Sequence, residues 1–121
     1  MSAGVWAGVV LLGGVGAVLR FAVDRAVASR LSGPFPFGTL AVNLSGATLL
    51  GFFGGLALSP SMALLAGTAF VGSYTTFSTW MLETQRLSEE RQLRPAILNI
   101  VVSVAFGLLA AWLGQQIGVR L

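Results

Sequence analysis

Residues 63–82 read ALLAGTAFVGSYTTFSTWML. A helix needs about 20 residues to cross a hydrocarbon core of roughly 30 Å, so this uncharged run has the length of a membrane span. Its second half is unlike ordinary membrane helix. Gly72-Ser73-Tyr74-Thr75-Thr76-Phe77-Ser78-Thr79-Trp80 carries five serine and threonine hydroxyls. Glycine, serine and β-branched threonine make a poor helix interior, so the stretch predicts a helix broken near mid-membrane. A break at that depth persists only where protein, water or an ion satisfies the freed carbonyls. Phe77 and Trp80, at i and i+3, project from one face; a packed aromatic pair in a core would show the same spacing.

Outward from this run the same length recurs three times, giving spans at about 4–23, 38–58, 63–82 and 95–117. Ser32-Gly33-Pro34-Phe35-Pro36 separates the first two, because two prolines forbid continuous helix. Ser59-Pro60-Ser61 separates the second and third, with proline suited to a first helical turn. Residues 84–94 form a polar, charge-alternating connection in which Glu90 and Arg94 stand at i,i+4, and Pro95 opens the fourth span. The expectation is an all-α membrane protein: one domain over residues 1–121, four transmembrane helices, the third broken.

Composition agrees. The chain is 55% hydrophobic and only 9% charged, against about 25% charged in soluble domains. No charge occurs among the 52 residues between Arg30 and Glu83. The net charge of +3 comes from arginines at the ends of apolar spans, which is the placement of headgroup anchors and not of a nucleic-acid surface. With no histidine, no cysteine and one tyrosine, acid–base or covalent catalysis has few candidates. The reading is a non-enzyme embedded in a lipid bilayer.

Glycine pairs at Gly4/Gly8, Gly51/Gly55 and Gly114/Gly118 put small residues on one helix face, where backbones approach closely. Polar residues at membrane depth are more informative. Thr39 and Asn43 share a face of the second span; Asn99, Ser103 and Gly107 fall at i, i+4 and i+8 of the fourth. Each stripe either joins helices by hydrogen bonds, worth about 1 kcal/mol apiece, or lines a polar path. An asparagine amide brings two donors and is the stronger pointer.

Gly13-Gly14-Val15-Gly16-Ala17-Val18-Leu19-Arg20-Phe21, Gly38-Thr39-Leu40-Ala41-Val42-Asn43-Leu44-Ser45-Gly46 and Gly72 to Trp80 come one in each of the first three spans. In order and spacing they resemble the Fluc (CrcB) fluoride channel family, over nearly the whole chain. The resemblance implies a passive, fluoride-selective channel that lowers cytoplasmic fluoride, in the plasma membrane of a prokaryote. It further implies a dual-topology dimer of two antiparallel subunits with two narrow pores. A structural sodium ion at the dimer centre would be held by the backbone carbonyls of Gly72 and Thr75. The pore asparagine of the family matches Asn43, and its two phenylalanines match Phe77 and Trp80. Its polar track matches Asn99, Ser103 and Gly107 with Thr79 and Glu83; Thr39 stands beside Asn43 in the same stripe. Arg20 matches an anion vestibule, although anchoring the first helix also explains it. Trp80, Ser73 and Gly107 depart from the family pattern, and the width of Trp80 bears on which pore conducts.

Two other readings fit four short spans. A proton-coupled exporter of the small multidrug resistance kind carries an essential acid mid-way along its first helix, whereas the first acid here is Asp24, at the span's end. A purely structural subunit would explain the glycines but not Asn43 or the 72–80 block. The arginines bear on pairing. Arg25, Arg30, Arg86, Arg91 and Arg94 fall on one side of a four-span chain and Arg120 on the other. That bias favours a single orientation and leaves two partners open: an antiparallel homodimer, or a heterodimer with a homologous subunit.

Overall fold

The computed structural model describes residues 2–121. Two long apolar helices open the chain, α1 (Ala3–Ala28) and α2 (Phe37–Gly55). Ser2 caps α1, its hydroxyl accepting from the Val5 amide. Next comes α3, built of Pro60–Ala63, a π-helical stretch Leu64–Val71 and a last turn Gly72–Tyr74. Proline sits at its start and Ser59 caps it. The chain then leaves helical geometry at Thr75 (φ −82°, ψ 164°) and resumes as α4 (Ser78–Glu89). The last helix is α5 (Leu93–Val119). Among the described residues there is no strand. Helices α1, α2 and α5 are each long and apolar enough to cross a membrane; α3 and α4 together form the fourth, bent element. The break foreseen in residues 72–80 is thus present.

Two expectations at the far end of the break change. Residues 84–89 are helix, not connection, because α4 runs on to Glu89. It stops in a Schellman turn: the Arg91 amide donates to the Ser88 carbonyl and the Gln92 amide to the Leu87 carbonyl. Arg91 takes the left-handed position at φ 60°. Since the turn separates Glu90 from α5, Glu90 and Arg94 do not share a helix, and the i,i+4 contact observed is Gln85 to Glu89, 3.2 Å.

Packing is closest between α2 and α5, with α1 lying against α2 and α3, and α4 against α5. The glycines explain the first of these. A Cβ at Gly51 would strike the Ala111 carbonyl, at Gly55 that of Gln115, at Gly114 that of Thr48 and at Gly118 that of Phe52. Two of the three glycine pairs therefore face each other across one seam. The third meets less: Gly8 lies against the Leu65 side chain, and Gly4 touches only its own Ser2.

The chain exposes 7524 Å², whereas a compact globule of this mass would expose about 6,200 Å². Much of the excess is apolar, from Val10, Leu11 and Val18 on α1 to Val101 and Leu108 on α5. A surface of this kind belongs in lipid or against another protein.

Candidate functional site

The geometry of the break follows from where its amides go. In a continuous helix the Thr76 amide would donate to the Gly72 carbonyl and the Thr79 amide to the Thr75 carbonyl. Instead Thr76 N–H donates to Asn43 Oδ1 at 2.8 Å and Thr79 N–H to the Thr76 hydroxyl at 3.2 Å. Asn43 Nδ2 returns the bond to the Thr76 carbonyl at 2.9 Å. One side-chain amide from α2 therefore takes the place of a peptide partner for Thr76, and the carbonyls of Gly72 and Thr75 lose their helical donors. In a bilayer an unpaired peptide group costs several kcal/mol, so the Asn43–Thr76 pair is a condition for the break to exist.

The rest of the neighbourhood is built to admit this backbone. Tyr74 is buried, stacks on Phe70 and shares a 2.9 Å hydrogen bond with Ser45 of α2. Gly16 of α1 faces the Phe70 carbonyl and the Tyr74 amide, and Gly46 of α2 faces the Thr75 methyl. Side chains at either position would push the break outward.

Beyond the break, Phe77 and Trp80 meet edge to face, centroids 5.6 Å apart at 78°, an arrangement that follows the ring quadrupoles. Phe77 is 70% exposed, so it is no core residue of this subunit. Both rings line a groove of about 410 Å³ with Asn43, Thr75, Ser103 and Gly107. A second, more polar recess of about 360 Å³ holds Arg20, Asp24, Thr39 and Thr79. Thr79 continues into a third hollow with Glu83 and Arg86. Gly72 and Thr75 meet Asn43 again in a fourth. Asn43, Thr75, Thr76 and Thr79 are thus the positions shared between neighbouring hollows.

Not every sequence candidate opens onto these hollows. Asn99 is fully buried behind them; its amide donates to the Thr84 hydroxyl at 2.9 Å and, at 3.5 Å, to the Trp80 carbonyl. Thr39 lines the second recess although it is almost wholly buried, beside Glu83. Four buried side-chain atoms have no partner within the subunit: Thr39 Oγ1, Glu83 Oε1, Asn99 Oδ1 and Ser103 Oγ. Three of them belong to the polar stripes read from the sequence; the fourth, Glu83, entered there through the family resemblance. Sequence reading missed Thr76, Tyr74 with Ser45, and Thr84. Thr76 had its signal among the five hydroxyls of the 72–80 block, and Thr84 stands one helical turn after Trp80.

Among known proteins, the sequence profile described as "CrcB-like protein, Camphor Resistance (CrcB)" matches residues 7–115. The chain belongs to the CrcB family. A CrcB relative from Mycolicibacterium paratuberculosis, named "Fluoride-specific ion channel FluC 2", is 75% identical over 113 residues, 93% of either chain. A protein of the same name from Mycobacterium bovis is 65% identical over 117 residues, covering 97% of this chain and 93% of its own. "Fluoride-specific ion channel FluC 1" of Symbiobacterium thermophilum is 40% identical over 119 residues, covering 93% and 96%. Membership of CrcB agrees with the resemblance read from the three motifs, and it does not favour the small multidrug resistance reading.

Proposed function

We propose that this chain is a subunit of a fluoride-selective channel that lets cytoplasmic fluoride leave passively across the plasma membrane of a bacterium. The observation that carries the reading is the 75% identity, over nearly the whole of both chains, to a relative named as a fluoride-specific channel. The geometry is compatible with that chemistry. Stripping water from a small anion costs on the order of tens of kcal/mol unless other donors replace it. The groove offers an amide, hydroxyls and the positive edges of Phe77 and Trp80. The path would run from the Arg20 recess past Thr39 and Thr79 to Asn43 and the ring pair, with Ser103, Asn99 and Glu83 alongside. No chemical step is involved; the membrane potential supplies about 2.3 kcal/mol per 100 mV on the ion.

A second subunit completes this reading. Phe77 and Gly72 are exposed on the monomer although they flank a mid-membrane break, and backbone of that kind belongs against protein or an ion. An antiparallel dimer would bury both. The freed carbonyls of Gly72 and Thr75 are hard oxygen donors of the type sodium accepts, so these two residues would hold a structural sodium ion between the subunits. Bound there, the cation would offset the charge of carbonyls that no peptide amide satisfies. The partner is an identical chain in this reading. The five-to-one arginine bias supports the alternative, a heterodimer with a homologous subunit.

Two measurements test these points. Liposomes holding only this protein should release trapped fluoride rapidly; retained fluoride would remove the homodimeric channel. The native chain has no cysteine, so Ser2→Cys expressed alone should label from both sides of the membrane if the subunits pair antiparallel, and from one side only if a different partner is required.

A further inference from the structure

Trp80 is held by a closed set of hydrogen bonds in which each donated proton has one destination. Its indole N–H donates to the Asn99 main-chain carbonyl at 3.1 Å, crossing from α4 to α5. Thr84, one turn further along α4, donates its only hydroxyl proton to the Trp80 carbonyl at 2.9 Å. That hydroxyl can then only accept, and it accepts from Asn99 Nδ2 at 2.9 Å. The Thr84 proton thereby decides which way the Asn99 amide points. Nδ2 turns toward α4, its second bond reaching the Trp80 carbonyl at 3.5 Å, and Oδ1 turns away, buried and unpartnered. Asn99 has no amide proton left for an ion, and neither has the indole of Trp80.

We propose that Thr84 is a positioning residue for conduction: it fixes Asn99, whose main-chain carbonyl holds the indole of Trp80, so that Trp80 presents a fixed ring edge to the groove and no N–H. Free rotation of so large a ring beside Phe77 would close the groove both rings line. This inference rests on the fluoride-channel reading for its flux test, and a second readout stands apart from it.

In liposomes holding the full chain, Thr84→Val should lower fluoride efflux by at least about tenfold, while Thr84→Ser, which keeps the hydroxyl, stays within about twofold of the parent. In a Trp80→Phe background there is no indole to clamp, and Thr84→Val should then change efflux by less than about twofold. An equal loss in both backgrounds makes Thr84 a general packing residue and overturns the proposal, as does unchanged or raised efflux in Thr84→Val alone. If Thr84→Val does not assemble, Thr84→Ala, which cannot overfill the site, carries the same comparison. Independently of flux, Trp6→Phe with Trp112→Phe leaves Trp80 as the sole tryptophan. Its fluorescence anisotropy should fall in Thr84→Val and hold in Thr84→Ser. An unchanged anisotropy in Thr84→Val refutes the clamp, and this result can be read even from a protein that passes no fluoride.

Discussion

Along the seam of α2 and α5, glycine faces carbonyl four times over and the two backbones touch with nothing between them. At the break between α3 and α4 the backbone also runs against α2, but there a side-chain amide and a hydroxyl stand in for the lost peptide partners, beside a buried tyrosine bonded to Ser45. Both regions answer the same constraint, that lipid satisfies no polar group. The seam answers it inside each helix and uses small residues only to gain contact. The break answers it through other residues and leaves two carbonyls over. The first solution is rigid and specifies a scaffold; the second puts polar atoms and aromatic edges where a pathway needs them.

The largest effect is expected at the seam. Gly114→Leu would drive a side chain into the Thr48 carbonyl and Phe52 amide and should destabilise by about 3 kcal/mol or more. Loss of the monodisperse protein on size-exclusion chromatography is the readout; a well-folded Gly114→Leu would show that the seam is not the scaffold.

At the break the effects should fall on flux before stability. Phe77→Ile keeps bulk on an exposed site and removes the ring quadrupole. It should cut fluoride efflux by about a hundredfold or more while the protein elutes as the parent does. Parent-like efflux would reduce Phe77 to packing.

Asn43→Asp is the sharper probe, because the carboxylate still accepts from the Thr76 amide but sets an anion against the Thr76 carbonyl. Efflux should fall about tenfold or more, with a stability loss of about 2 kcal/mol. Asn43→Ser, with a single hydroxyl, should lie between that variant and the parent. If thermal unfolding in detergent is unmoved in both, Asn43 does not hold the break.

The smallest effect marks the boundary of the comparison. Gly14 sits within α1 with no heavy atom near its missing Cβ. Gly14→Ala should leave efflux unchanged and shift stability by no more than about 1 kcal/mol, toward greater stability, through helix propensity alone. A large loss there would mean that the open face of α1 meets a partner.

The residues that decided class and span count were legible because they depend on composition along the chain. Fifty-two residues without a charge, prolines at 34, 36, 60 and 95, and helix-poor residues at 72–80 act locally. The end of α4 was misread for the reverse reason. Residues 84–89 look like a solvated loop, yet nothing in them breaks a helix. The stop comes from Arg91 entering the left-handed region, which favours glycine and which no local preference of arginine announces.

By itself, the sequence determined that this is an all-helical membrane protein of four helices with a polar break in the third, and it placed Asn43, Phe77, Trp80 and Ser103 as residues of interest. Only the tertiary structure decided what each of them does with its hydrogen-bonding groups. Asn43 is 33 residues from the peptide it pairs with, and Asn99 is 19 from the tryptophan it holds. Period and propensity describe what a residue offers to its neighbours along one helix. Which donor meets which acceptor is settled by helices packed side by side, where the absence of water leaves each buried proton a single place to go.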